Sequence, residues 1–299
     1  MTTNPRNGSP AAFGVLMFAT DYAVEPATLA KAAEERGFES LFLPEHTHIP
    51  ASRKTPWPGG ADLPKEYWHS FDPFVSLATA ASVTRTIKLG TGITLVTERE
   101  PIAMAKQVAS LDRLSGGRVL LGIGAGWNVE EMGHHGVAFK DRWKVLRERM
   151  LAMRMLWCEN EPEFHGTFVD FDPVWSYPKP IQPGGPKCLL GASSRWAWAR
   201  IAEYADGWFP IHQDPSRAAA QGTVDYVDGI RQTRQAWEEA GRDGEPDFSI
   251  FGLGPDQRRA EELVGMGFNR VIFALPSADA DTVMPLLDRY AEIGHRLNG

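Results

Sequence analysis

The chain is poor in cysteine and has no long apolar run. Its 299 residues include two cysteines, Cys158 and Cys188, so at most one disulfide is possible. Both lie in otherwise apolar stretches, and we expect two reduced, buried thiols in a cytoplasmic protein. The longest apolar runs, such as residues 119–123, are far too short to cross a bilayer, and residues 1–10 contain no apolar signal core. We therefore expect no membrane association.

Positive charge and metal-binding patterns are scarce as well. The net charge is −7 and no Lys/Arg run interrupts it, which argues against a nucleic-acid partner. No cysteine or carboxylate pattern accompanies His134 and His135, so a metal centre is not expected. A G-x-S-x-G elbow is absent, and hydrolase chemistry has no support. Tryptophan is plentiful instead: some of the ten belong to the core, and the others are compatible with a flat-walled aromatic site.

The chain repeats one pattern eight times, a short apolar run followed by a loop and a helix-like stretch. Strands are predicted at 13–20, 40–46, 88–96, from 117 onward, and at 187–193, 207–212, 247–253 and 270–276. Eight such units favour an α/β fold, the (β/α)₈ TIM barrel, over a doubly wound sheet, which would usually show a domain break. We predict one domain over residues 1–299. An insertion at about 160–186, a small hairpin plus loop, follows the fourth helix, 140–159.

Barrel geometry places the active site at the carboxyl ends of the strands. The loop after the second strand, residues 47–70, is unusually long and carries Trp57, Tyr67 and Trp68, so we predict that it is a lid. His46, at the end of the same strand, is a candidate proton donor or acceptor. A structural histidine tied to a loop carbonyl is the alternative.

The glycines of G122-I-G-A-G126 follow a strand, as in dinucleotide-binding folds. The spacing is G-x-G-x-G instead of G-x-G-x-x-G, and the next convincing helix is predicted more than ten residues later. These glycines therefore favour close approach of a large flat ligand at the barrel mouth. Relief of crowding inside the barrel is the alternative, most of all for Gly122.

An anion site is predicted where the fifth barrel strand ends. Small residues precede a helix N-terminus there, whose free N–H groups, two hydroxyls and an arginine suit a phosphate. An ordinary serine N-cap is the alternative. The residues are Gly191, Ala192, Ser193, Ser194 and Arg195.

Several segments in family order resemble the bacterial luciferase-like monooxygenase superfamily, especially its branch that uses coenzyme F420, a 5-deazaflavin. They are LFLPEH, KLGTGITLV, PIAMAKQVASLDRLSGGRVLLGIGAGW, FHGTFVD, PKPIQP, LLGASS, ADGWFP and RVIFALPS. The block from Lys106 to Trp127 is the most specific. The resemblance implies a barrel with deazaflavin or flavin lying across the strand ends, often in a homodimer.

The resemblance also assigns roles to residues. A third-strand bulge at Gly92, Ile93 and Thr94 would support the central ring, with a cis peptide bond between Gly92 and Ile93. His46 would lie near the reactive carbon of the ring with Glu45 beside it, and both are predicted to be catalytic. The loop that meets the ring or its ribityl chain corresponds to Ala125, Gly126 and Trp127. The phosphate-binding turn corresponds to Ser193 and Ser194.

One position departs from the family. In its sugar-phosphate dehydrogenase, a glutamate that serves as the acid stands where this chain has Trp127. Sugar-phosphate oxidation is therefore in doubt, and a more apolar pocket is expected. Trp57 and Trp68 are the predicted substrate-pocket residues, with packing as the alternative.

The first hypothesis is an F420-dependent oxidoreductase that transfers hydride between the deazaflavin and a small organic substrate. The second is an FMN-dependent monooxygenase that takes reduced flavin from a partner reductase. A non-catalytic flavin-binding barrel is the third, and a nicotinamide-dependent barrel reductase is a weaker fourth.

Overall fold

The computed structural model describes residues 10–60, 62–214, 218 and 222–298. The strands are β1 (Ala12–Leu16), β2 (Ser40–Leu43), β3 (Lys88–Leu95), β4 (Val119–Gly124), β5 (Phe164–His165), β6 (Asp170–Phe171), β7 (Lys187–Leu190), β8 (Gly207–Trp208), β9 (Asp247–Leu253) and β10 (Arg270–Ala274). The helices are α1 (Pro26–Glu35), α2 (Glu66–His69), α3 (Pro73–Val83), α4 (Pro101–Ser115), α5 (Val129–His134), α6 (Arg142–Cys158), α7 (Ala197–Tyr204), α8 (Tyr226–Glu239), α9 (Gln257–Met266) and α10 (Ala280–Asn298).

Eight parallel strands close into a barrel in the order β1-β10-β9-β8-β7-β4-β3-β2. The predicted (β/α)₈ barrel is thus confirmed. The insertion forms the expected antiparallel hairpin, in which β5 pairs with β6. The sixth barrel strand is shorter than predicted, since β8 ends at Trp208 and only an isolated bridge between Ile211 and Phe251 continues it.

Apolar side chains from alternating strand positions fill the barrel interior. This cluster consists of Leu16, Phe42, Leu120, Leu189, Phe209 and Ile272, with Ile93 and Phe251 packed against it. The packed interior leaves no room for a side chain at Gly122, because a Cβ there would lie 2.1 Å from the Thr91 carbonyl oxygen and 2.8 Å from the Phe209 ring. Gly122 therefore relieves crowding, the alternative considered for it.

Two sequence expectations need correction, and one lies partly outside the described residues. Helix α5 begins at Val129, three residues after Gly126, whereas the next helix was expected more than ten residues later. Six residues are too few to show an apolar period, but Asn128 caps the helix by accepting from the Glu131 N–H. Cys158 is exposed at the end of α6, although both cysteines are free as expected. The sequence also predicts a long helix over 215–240, and the structure forms it as α8 (Tyr226–Glu239). Residues 215–217 and 219–221 lie outside the described residues.

Ion pairs close the amino-terminal end of the barrel. Arg270, the first residue of β10, donates to Glu39 at 2.8 and 2.9 Å, to Asp247 at 3.2 Å and to Ser249 Oγ at 2.7 Å. Lys88 lies 2.6 Å from the same Glu39. The charges at this end are mutually paired, which leaves the opposite end as the place for a ligand.

Within the described ranges, no helix combines the length and apolar character needed to cross a membrane.

Candidate active site

The floor of the barrel mouth is a flat platform centred on Ile93. A bulge in β3 shifts the pairing with β4 between Thr91 and Thr94, and the Gly92–Ile93 peptide bond is cis, as the resemblance implied. The half-exposed Ile93 side chain covers Gly124 and Gly191 at the ends of two neighbouring strands. A Cβ at Gly124 would lie 2.0 Å from Ile93 Cδ1, and one at Gly191 would lie 3.1 Å from Ile93 Cγ2. The missing side chains leave a low, apolar surface suited to a flat ring.

Glu45 anchors this platform from the outside. Its Oε2 accepts from Thr94 Oγ1 and, at 2.8 Å, from the Leu95 N–H, while its Oε1 accepts from Arg99 Nε at 2.6 Å. Arg99 continues to Asp72 at 2.6 Å. The side chains of both Glu45 and Thr94 are buried and engaged in these bonds. The geometry gives Glu45 a positioning role; its catalytic role stays a prediction.

His46 is oriented by a carboxylate from a different loop. Its Nδ1 lies 2.7 Å from Oε2 of the fully buried Glu131, on the short helix α5. The ring contacts the aromatic rings of Tyr67 and Trp127, with centroids 5.0 and 5.8 Å apart. Because Glu131 engages Nδ1, Nε2 is the ring nitrogen available to a ligand. This is the histidine–carboxylate arrangement of a general acid or base.

A second carboxyl group lies behind Glu131. Glu98 closes the 3₁₀ turn Val96–Glu98, and its side chain is 1% exposed. Burial and the adjacent Glu131 raise the pKa of Glu98 to about 10, since two neighbouring carboxyls in a dry site cannot both ionise. Glu98 therefore holds a proton at neutral pH.

The loop that follows β4 brings an aromatic wall to the mouth. Gly126 has a φ of +76°, a left-handed conformation that glycine adopts freely. Ala125 is buried and its carbonyl accepts from Thr97 Oγ1 at 3.1 Å, which fixes the turn. Trp127 is half-buried, and Arg53 lies over its ring at 5.7 Å. The expected loop residues thus meet at the mouth.

The 47–70 loop contributes Tyr67 to the same wall. The Tyr67 ring lies 4.8 Å from that of Phe18, 5.9 Å from Trp57 and 6.3 Å from Trp127. Trp68 points elsewhere, being 49% exposed with its ring against His69. The structure therefore brings Trp57, but not Trp68, to the aromatic wall.

The loop is attached to the barrel at both ends. Glu130 accepts from the N–H groups of Lys54 and Thr55 at 3.0 and 3.2 Å and from Thr55 Oγ1 at 2.6 Å. At the other end Ser70 pairs with Thr20. The loop lies over the mouth in the position of a lid, and its opening stays a prediction.

The predicted anion turn lies across the mouth from His46. Gly191 donates to the Ile123 carbonyl at 2.9 Å, and the Ala192 carbonyl accepts from Trp208 Nε1 at 2.6 Å. Ser193, Ser194 and Arg195 follow, all exposed, just before α7. No side chain caps α7 in the described part of the chain, and Arg195 lies over the Trp196 ring at 4.5 Å. Hydroxyls and first-turn N–H groups can therefore receive an anion.

The sequence patterns pointed to neither Glu131 nor Glu98, and they gave Tyr67 only as an aromatic residue of the predicted lid. The spacing of Asn128 and Glu131 is that of a helix cap followed by an acidic third residue, and this pattern could have revealed α5. Nothing in the local sequence distinguishes Glu98 from its acidic neighbour Glu100.

Comparisons with known proteins agree with this geometry. The family model described as luciferase-like monooxygenase matches residues 7–279. The chain belongs to the luciferase-like monooxygenase family. An uncharacterized protein of Mycobacterium tuberculosis, Rv0953c, is 38% identical over 282 residues, which are 93% of this chain and 97% of that protein.

One relative in sequence and one in structure carry functional names. The F420-dependent hydroxymycolic acid dehydrogenase of Mycobacterium tuberculosis is 30% identical over 188 residues, 62% of this chain and 48% of that protein. The structure of a coenzyme F420-dependent tetrahydromethanopterin reductase from Methanopyrus kandleri superposes with a TM-score of 0.74 at 18% identity. It covers 97% of this chain and 100% of that one. The family is one of oxidoreductases, so the chain is an enzyme by membership, and its relatives include F420-dependent ones.

Proposed function

We propose that the protein is an F420-dependent oxidoreductase that transfers hydride between the deazaflavin and a small organic substrate. The observation that carries the proposal is the Ile93 platform with the Nε2 side of His46 at its edge. The glycines at 124 and 191 leave room for a flat ring, and the exposed serines suit a phosphate. The name of the hydroxymycolic acid dehydrogenase supports the same cofactor.

The bound deazaflavin supplies the hydride chemistry, and the protein provides orientation and proton transfer. Ile93, the 125–127 loop and the 191–195 turn are the residues that would hold the ring and the phosphate. His46 accepts or donates the substrate proton at Nε2, while Glu131 fixes its ring orientation through Nδ1. Tyr67, Trp57 and Trp127 exclude water and offer apolar surface to the substrate.

The second candidate is an FMN-dependent monooxygenase on the same platform, which the family's name supports. That enzyme would need reduced flavin from a partner reductase. Deazaflavin carries carbon in place of N5 of flavin and reacts poorly with oxygen, so oxygen consumption separates the two candidates. A homodimer stays a prediction in either case.

Equilibrium binding of F420 and of FMN to the apo-protein, followed by ligand fluorescence, tests the proposal. We expect tight binding of F420 and weak binding of FMN. Tight binding of FMN alone, with oxygen uptake in the presence of a reductase, would move the protein to the monooxygenase branch. If the protein binds neither F420 nor FMN, both candidate functions are contradicted.

His46→Ala tests the proton role. Turnover should fall by about 10²–10⁴-fold, the usual contribution of a general acid or base, while the Kd for F420 changes little. Steady-state turnover and fluorescence titration of the same preparation provide the two numbers. Equal losses in both would assign His46 to cofactor binding.

A further inference from the structure

The carboxyl pair behind His46 has unusual hydrogen bonding. Both oxygens of Glu98 and Oε1 of Glu131 are buried without a hydrogen-bond donor among the described residues. Buried polar atoms are normally paired, so these three oxygens need an explanation. A proton shared between the two carboxyls supplies one. A purely structural role for the pair would favour apolar residues or an arginine partner, as found for Glu45.

A cavity of about 420 Å³ reaches Glu98, the outer member of the pair, from the side of the barrel. It lies between the start of α4, α6 and the β5–β6 hairpin, and none of the platform residues lines it. Its ionisable lining residues are Glu98, Arg99, Glu100, His135, Arg149 and Asp170. Solvent in this cavity can therefore approach Glu98 without passing the mouth where the cofactor binds.

A line of histidines continues from the cavity to the surface. His135 Nε2 lies 3.9 Å from Glu98 Oε2, a span that a small side-chain rotation or one water molecule closes, and 2.7 Å from Thr47 Oγ1. Thr47 Oγ1 lies 3.0 Å from His48 Nδ1, and His48 Nε2 lies 2.8 Å from Nδ1 of the exposed His134. Burial and the neighbouring His48 lower the pKa of His135, which favours its neutral form. A neutral imidazole both donates and accepts, as proton transfer along this line requires.

Charged groups from neighbouring elements also surround Glu98 and Glu131. Glu45 faces it from the end of β2 and adds to the repulsion that keeps Glu98 protonated, while Arg99 opposes this effect. Arg149 of α6 donates to the Val96 carbonyl at 3.0 Å and forms the far wall of the cavity. His46 is the histidine at the inner end.

We propose that Glu131 and Glu98 form a proton relay that connects His46 to the side cavity, so that His46 exchanges protons while cofactor, substrate and lid cover the mouth. The proposal rests on the proposed function in one respect, that His46 handles the substrate proton. Both carboxylates act through His46 and are relay and positioning residues.

The relay moves one proton in each closure of the mouth. When a substrate hydroxyl gives its proton to His46, the O–H bond breaks and an Nε2–H bond forms. The Nδ1–H bond then breaks as Glu131 takes that proton, and the pair releases one proton from Glu98 to the cavity. His46 remains neutral, so no uncompensated charge is left in the buried site. The starting state returns when, with the mouth open, Nε2 loses its proton to solvent, Glu131 returns one to Nδ1 and Glu98 takes one up from the cavity. The same steps run backwards when the substrate receives a proton.

Proton exchange at His46 can be measured without a substrate. In apo-protein labelled with ¹⁵N-histidine, the ring proton between His46 Nδ1 and Glu131 is assigned with His46→Gln, and its exchange with water is followed by saturation transfer. Glu98→Gln keeps the shape and offers an amide N–H to Glu131 but cannot release a proton. We expect this variant to slow exchange by at least about tenfold, the scale of losing one proton-transfer group.

The matched control is Glu203→Gln. Glu203 is an exposed residue of α7 that is not part of the relay, and its Oε1 accepts from Arg147 Nε at 2.7 Å. Removing its charge should leave the exchange rate of the His46 ring proton unchanged. His135→Gln, at the cavity, should slow exchange less than Glu98→Gln and serves as the test if Glu98→Gln does not fold. A merely structural role would lower the Tm of Glu98→Gln without slowing exchange. If folded Glu98→Gln and His135→Gln exchange the His46 ring proton as fast as the wild type, the proposal is overturned.

Adding F420 to the wild type gives an independent test. With the mouth covered, exchange should remain within about twofold of the apo rate, because the cavity supplies the proton. A fall to the rate of Glu98→Gln would show that protons enter through the mouth and would overturn the relay. If F420 does not bind, the proposed function fails, whereas the apo comparison still decides the relay.

Discussion

Buried charges lie at both ends of the barrel, and the two ends hold them in opposite ways. At the amino-terminal end, Glu39 receives two hydrogen bonds from Arg270 and a third contact from Lys88. At the carboxyl end, Glu98 has no donor in the described part of the chain and faces Glu131 instead. The same residue type is thus fully paired at one end and orphaned at the other.

The pKa values follow the pairing. Burial alone would raise the pKa of Glu39, but the hydrogen bonds and charges of Arg270 and Lys88 lower it to about 2. Burial and Glu131 raise that of Glu98 to about 10. Paired acids contribute to stability, whereas an acid held against its ordinary pKa is typical of a functional site. The contrast agrees with the proposed relay, since the acid held against its ordinary pKa is the one next to the partner of His46.

The largest expected effect comes from breaking the paired end. Arg270→Ala leaves Glu39 and Asp247 without their shared cation and should lower the free energy of unfolding by about 3–5 kcal/mol. Urea unfolding at pH 7 measures this loss. Arg258→Ala is the control, because Arg258 is 87% exposed beside Glu262 and should change stability by less than about 0.5 kcal/mol. Similar small losses in both variants would show that the amino-terminal cluster is not stabilising.

Glu45 is a paired acid at the barrel mouth. Glu45→Gln tests whether a carboxylate there stabilises the fold because it is paired, as Glu39 does at the other end. Three donors lose an ionised acceptor, so we expect a loss of about 2 kcal/mol in urea unfolding. Glu203→Gln, in an exposed pair, should lose less than about 0.5 kcal/mol. If both variants are equally stable, Glu45 is no anchor and its predicted catalytic role gains support.

Local patterns predicted much of this architecture. The order of the strands, the small residues of the 191–195 turn and the position of His46 all follow from consecutive residues and the barrel rule, whereas several strands end three or four residues earlier than predicted. The different partners of Glu45 and His46 also follow from such a rule. Side chains of successive residues in extended chain point to opposite sides, so Glu45 turns to Arg99 while His46 turns to Glu131.

The relay residues could not be predicted in this way. His46 and Glu131 are 85 positions apart, and only barrel closure brings them together. Glu98 lies in a polar stretch where burial is not expected, and its unusual pKa arises from neighbours on other elements. Tertiary environment, not residue type or spacing, makes these two glutamates different from the others.

The smallest expected effect is the pH dependence of stability that Glu98 causes, and it tests the unpaired carboxyl at the carboxyl end of the barrel most directly. Because the pKa of Glu98 is raised from 4.5 to about 10, the native state binds more protons than the unfolded chain between these values. The stability from this group is therefore full below pH 4.5 and is lost as pH rises towards 10. The upper limit is about 1.4 kcal/mol per pH unit.

Glu98→Gln removes this dependence. Between pH 6 and 7 the wild type should lose about 1 kcal/mol more than the variant in urea unfolding, close to the limit for one proton bound in the native state alone. Glu203→Gln should follow the wild type at every pH. Parallel curves for wild type and Glu98→Gln would mean that no proton resides on the pair at neutral pH, and the contrast between the two ends would then be one of geometry alone.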